Sequence, residues 1–302
     1  MAYAKVIVNP AAGAGKTARI WPDILAALHS ANLDFDYEMT VTRGQATEIA
    51  RTAASQGYAI VVSVGGDGTA NEVVNGLFQS GCLNQVALGI VPTGTGSDYI
   101  RTIGVPSDYR EACQRLVSAK RLTVDLGIIE FMNGGNPVSR IFLNCAGAGL
   151  DAEITRATKR QLKYLSPRLS YFGGLLFALL SYRNRRLWLK IDETREERRV
   201  CMALMGIGKY GGGGMLVAPD ADPGDGLFDV IVVGDVAKPD LLWTMRRVYR
   251  GTYLTHKKVM AKRAREVEIL PIQPIAVQAD GELLGEAPAK FKLLPGALQV
   301  VV

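Results

Sequence analysis

The chain predicts an α/β domain followed by a second, mostly antiparallel β domain. Three observations predict it. The first 125 residues alternate strand and helix signals, one strand there is apolar along its whole length, and strand-like runs after Asp125 lack regular crossover helices. A continuously apolar strand is buried on both faces, as in a parallel sheet covered by helices.

In order, Val6-Ile7-Val8 reads as a strand and Thr17 to Ser30 as a helix. Phe35 to Met39 and Gln45 to Gln56 repeat that pair. Ala59 to Val64 is the continuous apolar strand. A helix follows from about Ala70 to Gln79, then a strand at Ala87 to Val91. Beyond the boundary at 122–128, strands are expected at Ile128–Phe131, Ile141–Cys145, Leu187–Ile191, Val200–Met205, Val230–Val233, Val267–Leu270 and Ile275–Gln278. Helical regions are expected near 150–183 and 238–251. The domains are therefore read as 1–125 and 126–302, with the last strand returning to the first domain.

At 302 residues the chain has ample length for two cores. Its 48% hydrophobic and 21% charged content is that of a globular protein. MAYAKVIVNP lacks the basic-then-apolar pattern of a signal peptide. Tyr171 to Tyr182 is too short for the roughly 20 residues that span a bilayer. Four isolated cysteines without a CxxC read as thiols of a reducing cytosol, so a cytoplasmic location is expected. With only two histidines, His29 and His256, neither a histidine-based triad nor a multi-histidine metal site is expected.

The net charge of +6 is unevenly spread. Ile154–Ile191 and Leu241–Arg265 carry Lys and Arg with no acid, which is the pattern of a solvated face or of attraction to an anionic surface. Few aromatics interleave with these bases, so nucleic acid is not an expected partner.

Two glycine-rich turns carry the strongest chemical signal. Gly65-Gly66-Asp67-Gly68-Thr69 ends the apolar strand and opens a helix. Successive glycines let backbone N–H groups approach a ligand, and the helix N-terminus adds partial positive charge, so a phosphate suits this turn. Pro92-Thr93-Gly94-Thr95-Gly96-Ser97-Asp98 again joins a strand to a helix. Asn9-Pro10-Ala11-Ala12-Gly13 and Thr40 emerge at the same sheet edge, where open α/β sheets bind ligands. VNPAAGAGKT ends like a Walker A loop, but Pro10 stands where that loop needs its first glycine.

NPAAG, GGDGTANEVVNG, PTGTGSDY and DGE, in that order, resemble the diacylglycerol kinase catalytic-domain family across essentially the whole chain. The resemblance implies a C-terminal β-sandwich and a nucleotide site in the interdomain cleft. It also implies an ATP- and Mg2+-dependent lipid kinase acting on a free lipid hydroxyl, of diacylglycerol or a related lipid. ATP is then expected at Asn9, Pro10, Ala11, Ala12, Gly13, Thr40, Gly65, Gly66, Asp67, Gly68, Thr69, Asn71, Glu72 and Thr95. Lys16 is expected in the first turn of a surface helix. The chain departs from the family's common P-L-G-T-x-N-D at Thr93 and Ser97.

Carboxylates must carry the acid–base work. Asp67 in a phosphate loop would repel phosphate unless a metal lay between, which puts it beside Mg2+. Asp280 and Glu282 match the family's catalytic segment, one taking the hydroxyl proton and the other orienting it; Glu282 is the expected acceptor. Alone, the same residues read as a DG hairpin turn. The acidic stretch Ala218–Val230 suits a hard cation held by oxygens. The resemblance assigns it to the Asp225 side chain with backbone carbonyls of Asp222 and Leu227; Mg2+ and Ca2+ both remain open there. Asp125 and Asn144 read as turn caps.

NAD kinases and phosphofructokinases also carry GGDG. Asn71-Glu72 directly after it follows the lipid-kinase order, and the NAD kinase run resembling GIN-x-G-x-LGFL is missing after Pro92. A non-catalytic nucleotide- or lipid-binding regulator is the reading from another class. A homodimer and transient peripheral contact with an anionic membrane, through Leu162–Tyr182 and its flanking bases, complete the expectations.

Overall fold

The computed structural model describes residues 3–118, 120–161, 179 and 181–302. Strands β1 (Ala4–Val8), β2 (Phe35–Met39), β3 (Ile60–Gly65) and β4 (Ala87–Pro92) form a parallel sheet in the order β2-β1-β3-β4. Helices α1 (Ala12–Ser30), α2 (Gln45–Ser55), α3 (Asp67–Ser80), α4 (Asp98–Ile103) and α5 (Tyr109–Arg115) cover it. Every residue of β3 and β4 is buried, Ser63 included, as the predominantly apolar runs require. One core, with Val61, Val73, Leu77 and Leu88, lies on one face; Val6, Ile24, Leu28 and Val62 build another.

Gly13, Ala14 and Gly15 adopt left-handed φ values of 61°, 55° and 82°, so regular helix in α1 begins at Lys16, which is exposed. The helix that the Pro92–Asp98 turn opens is α4; the short α5 lies outside the sequence expectation because it spans too few residues to show a 3.6-residue period.

The C-terminal domain is mostly antiparallel. It contains β5 (Arg121–Asn133), β6 (Asn136–Phe142), β7 (Cys145–Gly149), α6 (Leu150–Gln161), β8 (Arg185–Ile191), β9 (Thr194–Val200) and β10 (Met202–Gly206). The short pair β11 (Tyr210–Gly211) and β12 (Met215–Leu216) precedes β13 (Phe228–Val233), α7 (Lys238–Val248), β14 (Val259–Ala264), β15 (Glu266–Pro271), β16 (Ala276–Ala279) and β17 (Glu282–Val301). Phe131, Phe142, Phe228, Val267 and Phe291 lie in its core, and Phe142 stacks on Phe228 with centroids 5.7 Å apart.

β17 is the spine. It starts in a hairpin with β16, runs antiparallel to β5, and ends parallel to β4 at Val300 opposite Leu88. One continuous sheet therefore passes through both domains, in the order β14-β13-β10-β7-β16-β17-β4-β3-β1-β2.

The four cysteines are unpaired, three of them buried. Among the described residues no helix is long and apolar enough to cross a membrane. Of the segment Leu162–Tyr182 expected to meet a bilayer, all but Leu179, Ser181 and Tyr182 lies outside the described residues. Leu179 is buried and packs in a cluster with Leu150, Cys201 and Val236.

Candidate active site

The turns at the carboxyl ends of β1, β3 and β4 touch backbone to backbone. Gly65 O accepts from Thr93 N at 2.8 Å and Gly94 N at 3.2 Å. A Cβ on Gly94 would sit 2.6 Å from Gly66 Cα, and one on Gly13 would sit 2.6 Å from Thr93 O, so only glycine permits these approaches. Asn9 Nδ2 donates to Thr69 Oγ1 at 2.9 Å, and Asn9 Oδ1 accepts from Ala11 N at 3.1 Å. Gly66 caps α3, whose N-terminal partial charge favours an anion here. Thr40 is buried, its N–H donating to Val8 O at 2.9 Å, and Thr95 is exposed at the tip of its turn.

The two departures at the Pro92–Asp98 turn have structural counterparts. Thr93 is buried, and its hydroxyl meets that of buried Thr17 at 2.6 Å, tying the turn to α1. Ser97 takes φ 50°, a left-handed conformation that asparagine tolerates better than serine.

Asp67 Oδ2 accepts from Asp98 N at 2.9 Å. The two carboxylates flank one small space: a Cβ on Gly96 would lie 3.6 Å from Asp67 Oδ2 and 4.0 Å from Asp98 Oδ2. Burial pushes the Asp67 carboxyl up to about 6; the charges of Asp98 and Asp280 add to this, against the N–H groups of Asp98 and Tyr99. Burial also raises Asp98, opposed by Gly213 N–H, Arg101 and Gly214 N–H. Asp98 Oδ2 accepts from Gly213 N at 2.7 Å, whereas its buried Oδ1 has no partner.

Asp280 and Gly281 have φ values of 46° and 74°, as a two-residue type I′ hairpin demands. The DG turn is thus a hairpin turn that also presents two acids. Asp280 Oδ2 accepts from Leu143 N at 2.7 Å and Asn71 Nδ2 at 2.8 Å; Oδ1 accepts from Asn144 N and Cys145 N, both at 3.0 Å. Burial raises its pKa against these four donors. Glu282 is held between Arg140, 2.7 Å from Oε2, and Arg43, bonded to Oε1.

Asn71 is buried in the first turns of α3. Besides Asp280 it donates to Ile141 O at 3.1 Å, and its Oδ1 accepts from Arg140 at 3.3 Å. Glu72 Oε1 accepts from Gly44 N at 3.2 Å and so caps α2. The structure thus brings Asp67, Asp98 and Asp280 into one charged neighbourhood, with Glu282 adjoining in the hairpin. It places Asn71 and Glu72 as supports.

Asp225 has a different setting. It pairs with Arg263, and its Oδ1 accepts from Leu227 N at 3.0 Å, while Asp222 Oδ1 accepts from Gly224 N at 3.0 Å. A guanidinium and a backbone N–H thus serve the carboxylate that was expected to meet a cation. Among the described residues no cluster of three or more His, Cys, Asp or Glu side chains is arranged to hold a metal. Asp125 caps turns as expected, accepting from Gly226 N at 2.8 Å and Gly296 N at 2.7 Å.

Sequence reasoning missed Arg43, Arg140 and the role of Gly211–Gly214. The glycine tetrad was the available signal: Gly213 N–H holds Asp98, and a Cβ on Gly214 would meet Arg101 Nη1 at 2.5 Å. The arginines carry no local signal, since they come from distant segments.

Behind the hairpin lies an apolar cavity of about 340 Å³, lined by Met202, Leu204, Met215, Val217, Gln278 and Gly281 among others. Asp151 also borders it. Its Oδ2 accepts from Gln278 Nε2 at 3.0 Å, its buried Oδ1 has no partner, and burial pushes its carboxyl up to about 6.

Two family models match this chain. The diacylglycerol kinase catalytic domain covers residues 3–129, and the YegS C-terminal NAD kinase beta sandwich-like domain covers 144–302. A diacylglycerol kinase of Staphylococcus carnosus (strain TM300) is 28% identical over 298 residues, 98% of this chain and 94% of the relative. One from Bacillus subtilis (strain 168) is 27% identical over 303 residues, 100% and 97% of the two chains. A solved structure from Bacillus anthracis str. Sterne, 24% identical, shares the fold with a TM-score of 0.80 over 99% of this chain and 94% of that one. The ordered glycine turns, the acid-bearing hairpin and both matched domains agree: the chain belongs to the diacylglycerol kinase catalytic-domain family and is a kinase of a lipid alcohol.

Proposed function

We propose that this chain transfers the γ-phosphoryl group of ATP, with Mg2+, to the free hydroxyl of diacylglycerol. The observation that carries this reading is the double role of the Asp280–Gly281 turn. Asp280 adds its charge to that felt by Asp67 among the phosphate turns, while Gly281 lines the apolar cavity. A greasy acceptor with its hydroxyl at the turn would meet a phosphoryl donor there.

Asp67 and Asp98 fit a divalent cation: two carboxylates flank one space, and a buried Asp98 oxygen lacks a partner. Two carboxylates plus nucleotide phosphates is the usual holding of Mg2+. Bound there, Mg2+ would offset the charge of the transferring group. The turns at Asn9–Gly13, Gly65–Thr69 and Gly94–Thr95 would cradle the phosphates. Glu282 would accept the acceptor's proton, and Asp280, its four acceptor positions filled, would hold the hairpin in place. Asp225, satisfied by Arg263, has no metal role in this proposal.

The test is purified protein with labelled ATP and Mg2+, offered diacylglycerol, phosphatidylglycerol, sphingosine, ceramide and NAD. Label in the diacylglycerol product is expected. Labelled dinucleotide with every lipid untouched would overturn the proposal.

A further inference from the structure

Helix α7 has two apolar sides. Leu241, Thr244, Met245 and Val248 face inward and line a cavity of about 80 Å³; Met245 and Val248 also border the 340 Å³ cavity that reaches Gly281. The other side exposes Leu242 (45%) and Trp243 (64%), with Tyr249 (56%) just beyond the helix end. Large apolar side chains at such exposure, on one helix and the residue that ends it, mark an interaction surface rather than ordinary surface scatter.

Their neighbours are cationic. Arg246, Arg250, Lys257 and Lys258 are exposed, and no acid occurs from Leu241 to Arg265; Asp240, in the first turn, is the acid of α7 itself. Arg247 stacks on Trp243, its guanidinium 5.0 Å from the ring centroid. It is itself anchored to Thr252 O at 2.6 Å and Thr255 Oγ1 at 2.5 Å, so the indole is braced outward. An outward Trp, Leu and Tyr among bases is the composition of a helix lying in a membrane interface, where tryptophan sits at headgroup level and bases meet anionic lipid.

We propose that the outer face of α7, with Leu242, Trp243 and Tyr249 inserted and Arg246 and Arg250 on the headgroups, docks this protein on an anionic phospholipid bilayer. Charge complementarity selects that occupant over a neutral apolar partner. Met245 and Val248 of the same helix line the cavity that reaches Gly281, so docking would bring that cavity close to the lipid. This last step rests on the lipid-kinase reading; the docking itself does not.

The test is cosedimentation of the full chain, without ATP, with vesicles of phosphatidylcholine alone or with phosphatidylglycerol. The wild type is expected to bind the anionic vesicles and to be released by high salt, as screening shortens the reach of surface charge. Leu242→Ala/Trp243→Ala and Arg246→Glu/Arg250→Glu are each expected to weaken binding at least ~10-fold, about 1.4 kcal/mol, with unchanged thermal melts. Trp243→Phe, which keeps an aromatic anchor, should retain binding but lose the quenching by brominated lipid that Trp243 carries; Trp21 is buried, and Trp188, on β8 and partly exposed, keeps its own signal. Equal binding to neutral and anionic vesicles, no binding to either, or full binding by both double variants would each overturn the proposal. Because no ATP is present, a failed kinase assay leaves this result standing, and the reverse also holds.

Discussion

Asn71 Nδ2 donates to Asp280 Oδ2 at 2.8 Å, joining the first turns of α3 to the hairpin between β16 and β17. The bond ties the helix behind the Gly65–Thr69 turn of one domain to the acidic turn of the other. Asn71→Ala would leave Asp280 with three of its four donors and Ile141 O short of one. A loss of about 1–3 kcal/mol in stability is expected from the unsatisfied buried groups. A fall in kcat larger than any change in KM for ATP is expected as well. Chemical denaturation and initial rates measure both, and an unchanged kcat would remove Asn71 from the positioning role.

Thr17 and Thr93 should behave as a coupled pair. Each single change to valine strands the other buried hydroxyl, although Thr17 keeps Ala12 O at 3.2 Å. Thr17→Val/Thr93→Val together should cost less than the sum of the singles, with a coupling of about 1 kcal/mol. A double-mutant cycle by denaturant melts gives that number directly; additive singles would mean the contact contributes nothing.

Ser97→Asn is expected to stabilise. Serine at φ 50° holds a left-handed conformation that asparagine adopts more readily, so a gain of about 0.5–1 kcal/mol should appear as a raised Tm. A lowered Tm would show that contacts of the serine outweigh the backbone preference.

Asp151 gives a pH signature. Its folded pKa, raised to about 6 by burial, exceeds the ordinary aspartate value, so its stabilising contribution is present below about pH 4 and is lost as pH rises through 6. Asp151→Asn removes that loss. The variant should match wild type near pH 4 and exceed it above pH 6, by at most about 2–3 kcal/mol. Parallel stability curves from pH 4 to 8 would rule out a raised Asp151.

Much of this was legible in the sequence where a single periodic or turn signal decides the outcome. The apolar runs at Ile60–Gly65 and Ala87–Pro92 became fully buried parallel strands, and Asp280-Gly281 became a tight hairpin. The glycine turns at Gly13, Gly66 and Gly94 form the close approaches their composition suggests. What stayed hidden depends on distant contacts. Arg43 and Arg140 lie 239 and 142 positions from Glu282 in sequence, so no local pattern announces their pairing. The partner of Asp225 was hidden likewise, since Arg263 pairs with it from the distant strand β14. The hairpin strand β9, TREERRV, shows no apolar alternation because only Val200, at its end, is buried.

The central claim is that the glycine turns and the Asp280–Glu282 hairpin form one phosphoryl-transfer site. The most direct measurement is the rate of label transfer from ATP to diacylglycerol by wild type, Asp67→Asn and Glu282→Gln, at matched folding by thermal melt. Asp67→Asn removes a buried carboxyl whose pKa is about 6, so its fold should be as stable as wild type, or more so above pH 6. Both variants are expected to lose about 10²–10⁴-fold in rate, the scale of a lost acid–base or charge-holding group. Rates within a few-fold of wild type in either variant, with the wild type active, would contradict the account.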